Sequence, residues 1–262
     1  MVLDGTMPKL ASYPLAVAAA LSLSLTACGG DDKSSGSPST TPSATPSATP
    51  STTSPTPTTP APSATGPVQR TAAELTKALL ELKDLPSGFS LEPDEPEDSS
   101  AGTFSSKESK CKTLVTYLNA DKAPGSKATA YRAFSGGNEG PFIDFSLDAL
   151  GTPQAVATLG TTYRNAVATC KKVSLKIPGE GTSTMSVTEI SAPQFGDKPF
   201  AFRLTGSSGP REGLEFTLAV TGVNDVILSV SVLAGQPGEL DGATEAAVNK
   251  AGTVLGVPKT GT

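Results

Sequence analysis

The chain has 262 residues and a formal net charge of −5 at pH 7. Such a mildly acidic balance, without a basic stripe, argues against nucleic acid as a partner. Histidine is absent from the sequence, and with it the commonest general base and metal ligand of proteins. We therefore expect neither a Ser–His or Cys–His enzyme nor a zinc site, and the sequence predicts no catalytic residue, no metal ligand and no cofactor-binding residue.

The first 28 residues have the pattern of a bacterial lipoprotein signal peptide. Lys9 precedes an apolar run over residues 15–25, which is shorter than the roughly 20 residues that span a bilayer. The run ends in Leu25-Thr26-Ala27-Cys28, which resembles a lipobox. The resemblance implies cleavage before Cys28 and acylation of its thiol. We therefore expect a lipid on Cys28 to hold the protein on the extracytoplasmic face of the cell membrane; the alternative is an ordinary secretory signal with a chance cysteine.

Residues 29–66 form a low-complexity segment made almost entirely of Ser, Thr, Pro, Ala and Gly. Because it lacks large apolar side chains to offset the entropy of ordering, it is predicted to be a disordered linker. Its prolines favour an extended chain, with a reach on the order of 110 Å. We expect a spacer, typical also of O-glycosylated stalks, that tethers one globular domain over residues 67–262.

Helical periodicity predicts four helices in this domain. The first begins at Thr71, which has capping-box spacing to Glu74, and its apolar face extends to Leu82. Pro153 suits the first turn of the longest helix. The remaining helices are predicted over residues 108–119, 153–171 and 240–255.

Alternation of apolar and polar residues predicts six strands. A glycine-rich turn at residues 136–140 joins the first two into a hairpin, and the sixth suits a central strand with one buried face. The six ranges are 129–134, 142–147, 185–190, 200–204, 214–220 and 226–232. The order of elements predicts an α+β domain in which the helices pack on a single antiparallel sheet.

Two cysteines, Cys111 and Cys170, remain once Cys28 is assigned to the lipid. An even pair in an exported domain predicts one disulfide rather than two free thiols. The bond would close a loop of about 60 residues and stabilise the fold by roughly 4 kcal/mol in the chain-entropy treatment. A redox-active pair is not expected because the spacing is not Cys-x-x-Cys.

The layout of the chain resembles a known family. In chain order it contains a lipobox, a Thr/Pro-rich stalk, the segment Asp84-Leu85-Pro86-Ser87-Gly88-Phe89, a hairpin ending at Phe145 and a long helix that ends at a second cysteine. This layout is similar to that of the PknH-like extracellular domain family. This family comprises actinobacterial lipoproteins related to the extracellular sensor domain of a mycobacterial transmembrane Ser/Thr kinase. The resemblance covers most of residues 70–255. It implies a compact α+β domain with a cleft for an unknown ligand.

Two features depart from the family pattern. The domain has one candidate disulfide where the kinase domain has two, and Ala168-Thr169 stand where a Trp often precedes the second cysteine. Both departures put a shared ligand in question. The sequence also contains no kinase domain, so signalling would need a partner.

Some residues superficially suggest enzymes. Ser109 and Lys112 fit Ser-x-x-Lys, and Lys259-Thr260-Gly261 fits Lys-Thr-Gly, as in penicillin-binding enzymes. We reject this interpretation because no Ser-Asp-Asn is present and Lys259 lies in the tail beyond Pro258. There is also no Gly-x-Ser-x-Gly elbow and no phosphate-binding loop.

Carboxylates offer two weaker alternatives. The acidic run at residues 92–98 contains the oxygen ligands that Ca²⁺ prefers, but its prolines and irregular spacing favour a solvated loop. Asp144 and Glu215 could form the carboxylate pair of a glycosidase, although alternation favours two solvent-facing side chains. Most of the larger aromatic residues are expected in the core rather than in a ligand groove: Tyr117, Tyr131, Tyr163, Phe142, Phe145, Phe200, Phe202 and Phe216.

Together these patterns favour a lipid-anchored envelope lipoprotein whose domain is a non-enzymatic ligand-binding or sensor-like module. Its expected partners are the membrane, through the lipid on Cys28, and a small molecule, a cell-wall component or an envelope protein. The alternatives are an envelope hydrolase that uses carboxylates and a structural surface protein.

Overall fold

A computed structural model describes residues 67–92 and 102–256 of the chain. The signal peptide with Cys28, the linker, most of the acidic run and Lys259 lie outside these residues, so the predictions made for them remain predictions. Within the described ranges, no helix is long and apolar enough to cross a membrane.

Helices form where capping residues and apolar periodicity coincide. At the first helix, the Thr71 hydroxyl accepts a hydrogen bond from the Glu74 amide at 3.2 Å, and the Glu74 carboxylate accepts one from the Thr71 amide at 2.7 Å. The Thr152 hydroxyl likewise caps the longest helix, which begins with Pro153. The α-helices are α1 (Ala72–Ala78), α2 (Lys112–Leu118), α3 (Pro153–Thr169) and α4 (Glu239–Val254).

The first helix is shorter than its apolar pattern predicts. It ends at Ala78, and Leu79 is already extended. Leu79 and Leu80 are buried all the same, whereas Leu82 begins a short 3-10 helix, Leu82–Asp84, and is largely exposed. Apolar spacing alone does not distinguish a continued helix from an extended chain that packs on the same core.

Within the described residues, nine strands form one sheet in which every neighbouring pair is antiparallel. The strands are β1 (Ser90–Leu91), β2 (Thr103–Ser105), β3 (Ala128–Ser135), β4 (Phe142–Ala149), β5 (Lys172–Ile177), β6 (Gly181–Ile190), β7 (Asp197–Ser208), β8 (Glu215–Val223) and β9 (Val226–Leu233). Their order is β1-β3-β4-β9-β8-β7-β6-β5-β2. The predicted α+β class with a single antiparallel sheet is confirmed, while β1, β2 and β5 were not predicted.

Helices cover both faces of this sheet. Helices α1 and α4 pack with Phe134, Phe145 and Leu228 on one side, the α1–α4 face. Helices α2 and α3 pack with Phe202 and Val220 on the other, the α2–α3 face. As a consequence, the central strand β9 is buried on both sides rather than on one.

The predicted disulfide is confirmed. Cys111 and Cys170 are bonded, with their Cα atoms 4.8 Å apart, and both are fully buried. Cys111 immediately precedes α2, and Cys170 immediately follows α3. The bond therefore fixes α2 against the end of α3 on the α2–α3 face.

A buried ion pair secures the start of the described domain. The Arg70 guanidinium donates to both carboxylate oxygens of Asp225, at 2.7 and 2.6 Å, in the turn between β8 and β9. The Asp225 side chain is 0% exposed and that of Arg70 is 11% exposed. Nearby, the Val68 amide donates to the Gly151 carbonyl at 2.8 Å, and Arg70 reaches the Leu255 carbonyl at 3.4 Å. The two ends of the described domain thus meet at one turn of the sheet.

Candidate binding grooves on either side of helix α3

In the described part of the chain, a groove opens on each side of α3 on the α2–α3 face. Leu159 and Tyr163 line the first, which we name the strand groove and which has a volume of about 190 Å³. Ala157 and Arg164 line the second, named the helix groove, with a volume of about 410 Å³. Ile227 of β9 lines both grooves. Helix α3 and this isoleucine therefore separate two neighbouring concave sites.

The floor of the strand groove is built from cross-strand rows of polar residues. Asp144 of β4 lies opposite Ser231 of β9, and the next row along pairs Ser146 with Ser229. Tyr131 of β3 lies opposite Ser146 on the other side. Because side chains two residues apart in a strand share a face, these rows place hydroxyl and carboxylate groups side by side on a rigid sheet.

Asp144 is the half-buried carboxyl group of this floor. The Ser231 hydroxyl donates to its Oδ2 at 2.8 Å, and the Tyr131 hydroxyl also bonds to it. Burial raises the pKa of Asp144 despite these two hydrogen bonds, and the charge of Glu92 acts in the same direction. Its environment therefore disfavours a bare negative charge and favours contact with a ligand that donates a proton or carries a positive charge.

A second carboxylate lies deeper in the same floor. Asp148 is only 3% exposed, and the Thr129 hydroxyl donates to its Oδ1. Of the described residues that line the groove, only Lys122 on the exposed rim carries a positive charge. The floor therefore offers hydrogen-bond acceptors and an acidic character.

Tyrosine rings form the opposite wall. The rings of Tyr117 on α2 and Tyr163 on α3 have centroids 4.6 Å apart, and Tyr163 meets Phe200 edge-on at 5.3 Å. Burial raises the pKa of both tyrosines, so they remain neutral at physiological pH. Since the disulfide holds α2 against the end of α3, it also supports this wall.

The helix groove differs in composition. Its walls come from α3, the start of β7, the end of β8 and the β8–β9 turn. The register of β7 against β8 shifts between Asp197 and Phe200, as in a β-bulge. Arg164 of α3 donates through Nη2 to the carbonyls of Lys198 and Pro199 in this irregular segment. Its guanidinium carbon lies 5.5 Å from the centroid of the Phe200 ring.

The two carboxylates considered for a glycosidase are not brought together. Phe216 and Leu218 of β8 contribute to the core of the α2–α3 face, so Glu215, adjacent to Phe216, projects on the other face. Glu215 instead forms an exposed ion pair with Arg203 at 3.6 Å. Asp144 faces the strand groove, and the sheet itself separates the pair.

The other singled-out residues lie in varied positions. Ser109 and Lys112 are exposed at the start of α2. Of the acidic run, only Glu92 is described, and the described residues contain no group of three or more His, Cys, Asp or Glu side chains that could hold a metal ion. Phe145, Phe200 and Phe202 are core residues. Tyr117 and Tyr131 line the strand groove, and Tyr163 is a buried residue that also lines it. The serines of the floor were missed, because their proximity depends on strand order.

No protein-family model matches the chain, and no curated protein matches it in sequence. The fold is similar to the crystal structure of the extracellular domain of PknH from Mycobacterium tuberculosis, with a TM-score of 0.54 and 17% identity over 71% of this chain and 98% of that one. The sequence-based resemblance is thereby confirmed at the level of the fold. An uncharacterised protein from Mycobacterium smegmatis, an ortholog of Rv0999, matches with a TM-score of 0.37 and 12% identity over 64% of this chain and 92% of that one.

Proposed function

We propose that this protein is a lipid-anchored envelope module that binds a small, hydrogen-bond-donating molecule in the strand groove without transforming it. The observation that carries the proposal is the composition of that groove. Carboxylate and hydroxyl groups of Asp144, Asp148, Ser229 and Ser231 line its floor, and tyrosine rings form its wall. A polar face opposite an aromatic face is typical of a site that orients a small polar ligand.

The arrangement supports binding rather than catalysis. The sequence has no histidine, and each floor carboxylate is already hydrogen-bonded to a hydroxyl of the protein. Glu215, which could have served as a second catalytic carboxylate, lies on the other face of the sheet. The fold shared with the extracellular domain of PknH agrees with a module that works outside the cytoplasm.

Native mass spectrometry of the protein purified from the envelope of a producing bacterium tests the binding function. We expect a reproducible additional mass that disappears on denaturation. Ser229→Leu, which fills the floor of the strand groove, should lose this mass. Ser174→Leu should keep it, because Ser174 is a half-buried serine on β5 outside both grooves. A bare wild-type protein, or an additional mass that persists in Ser229→Leu, would contradict the proposal.

The anchor is tested separately by Cys28→Ser. If Cys28 carries the lipid, metabolic labelling with palmitate should mark the wild-type protein in the membrane fraction. The variant should lose the label. Labelling that survives Cys28→Ser would place the lipid elsewhere and refute the assignment.

A further inference from the structure

The helix groove has the dimensions of an independent binding site. Its volume of about 410 Å³ falls within the range of roughly 300–1,000 Å³ usual for small-molecule sites. Its lining follows α3 from Pro153 to Arg164, and the eleven steps between them, at about 1.5 Å each, give a length of about 16 Å. The groove therefore suits an elongated ligand.

The middle of the groove is apolar and open. Val156, Ala157, Phe200, Val220 and Ile227 contribute its apolar surface. Gly160 lies between the ends of α3, and a Cβ atom built on it would meet no atom within 4 Å. A glycine inside a helix is less favourable than alanine, so its presence here leaves space at the expense of helix stability.

One end of the groove carries a fixed cation. The Arg164 guanidinium donates hydrogen bonds to the Lys198 and Pro199 carbonyls and lies over the Phe200 ring. Only Nη2 is engaged in these bonds, and among the described residues no carboxylate forms an ion pair with Arg164. Its remaining N–H groups are therefore available to an anion, and arginine matches carboxylate and phosphate oxygens well.

The charges around Arg164 reinforce this preference. Lys198 is exposed at the mouth of the groove and adds a second positive charge. Asp197 is the only carboxylate among the lining residues that the structure describes. The groove therefore combines an apolar interior with a net positive end.

We propose that the helix groove binds an elongated amphiphile, with its apolar chain along α3 beside Gly160 and its anionic head on Arg164. This site is separate from the strand groove, and neither proposal depends on the other. The occupant belongs to the chemical class of fatty acids, which combine one unbranched apolar chain with one carboxylate.

Isothermal titration calorimetry with dodecanoate, below the concentration at which it forms micelles, tests the site. The protein is the whole chain with Cys28→Ser, so that it carries no acyl group of its own. We expect saturable binding of one dodecanoate per chain. Gly160→Leu, which places a side chain in the groove, should weaken binding at least about tenfold.

Gly252→Leu provides the matched control, because Gly252 is a glycine of α4 that also has no atom within 4 Å of a built Cβ. It should bind dodecanoate like the parent chain. Arg164→Gln should weaken the binding of dodecanoate about tenfold. Dodecyltrimethylammonium, which has the same chain and the opposite charge, should bind to the parent protein far more weakly than dodecanoate.

Three results would overturn the inference. Absence of saturable dodecanoate binding would exclude the site. Unchanged binding in Gly160→Leu would place the chain elsewhere. Equal affinities for dodecyltrimethylammonium and dodecanoate would show that Arg164 does not recognise the anionic head. None of these results bears on the proposed binding of a ligand in the strand groove, which Ser229→Leu tests.

Discussion

The two faces of the sheet are built from the same strands but in different ways. On the α1–α4 face, every second residue of β9 from Val226 to Val232 belongs to one apolar core. On the α2–α3 face, the intervening residues are Ile227, Ser229 and Ser231, and the last two lie in the floor of a groove. One strand therefore supplies an apolar core on one side and a polar site on the other.

The difference is that β4 and β9 bury apolar side chains on one face and line a groove with polar side chains on the other. The α1–α4 face gains its free energy from closely packed apolar side chains. The α2–α3 face also buries an apolar core, but it leaves a groove on each side of α3, and the disulfide joins the helices there. The following predictions test that division, in descending order of expected effect.

Neighbouring residues of β4 should respond very differently to truncation. Phe145 is 1% exposed and packs edge-on to Phe134 with centroids 5.9 Å apart, so Phe145→Ala should lower the free energy of unfolding by about 3–5 kcal/mol. Ser146→Ala, on the groove side, should change it by less than about 1 kcal/mol. Urea denaturation measures both. Similar losses would show that the groove floor also contributes to stability.

Removal of the disulfide should be the next largest effect. The bond closes a sequence separation of 59 residues, and the double variant Cys111→Ala/Cys170→Ala should lose roughly 2–4 kcal/mol. The protein lacks tryptophan and has four tyrosines. Near-ultraviolet circular dichroism should therefore weaken as the contact between Tyr117 and Tyr163 loosens. An unchanged spectrum and an unchanged denaturation midpoint would show that α2 is held by packing alone.

Glycines in the helices of the two faces should respond alike. Gly160 in α3 and Gly252 in α4 both have open space around a built Cβ, so each change to alanine should raise the free energy of unfolding by about 0.5–1 kcal/mol. Thermal denaturation with a fixed scan rate compares them. A loss of stability in Gly160→Ala would mean that the helix groove is tighter than its geometry indicates.

The smallest effect is a contrast in pH dependence between Asp144 and Asp84. Burial raises the pKa of Asp144 above 3.8, so ionisation of Asp144 costs stability as the pH rises above that value. Burial also acts to raise the pKa of Asp84, but hydrogen bonds from Lys250 and the Glu81 amide outweigh it and lower the pKa overall. Asp84 therefore stabilises the fold above pH 3.8, and this contribution is lost as the pH falls.

Asparagine variants measure this contrast. Asp144→Asn should raise the denaturation midpoint at pH 7, with a gain that disappears near pH 3. Asp84→Asn should lower the midpoint at pH 7 and change it little near pH 3. The same sign in both variants at pH 7 would contradict the assigned environments.

Much of the fold could be predicted from the sequence because its signals are local. The limits of α3 and α4 agree to within two residues with those inferred from capping and periodicity. Strand β5 was not predicted because it begins two residues after Cys170, directly after the end of the helix predicted over residues 153–171. The edge strands β1 and β2 have only two and three residues, too few to show a period.

Little of the site could be predicted, because it depends on contacts between distant parts of the chain. Asp144 was singled out by its position in a strand, yet its partner Ser231 lies 87 residues away. No pattern within either strand indicates that β4 and β9 are neighbours. Ser229 and Ser231 alternate with valines as solvent-facing residues would, and alternation cannot distinguish open solvent from a groove.

The ion pair between Arg70 and Asp225 also has a mechanical consequence. A force applied to the chain ahead of Pro67 reaches the sheet through Val68 and Arg70, and these residues bind Gly151 and Asp225. Both acceptors lie within two residues of the helix groove, whose lining includes Pro153 and Asn224. A force on this part of the chain would therefore act beside the helix groove, in the middle of the sheet rather than at its edge.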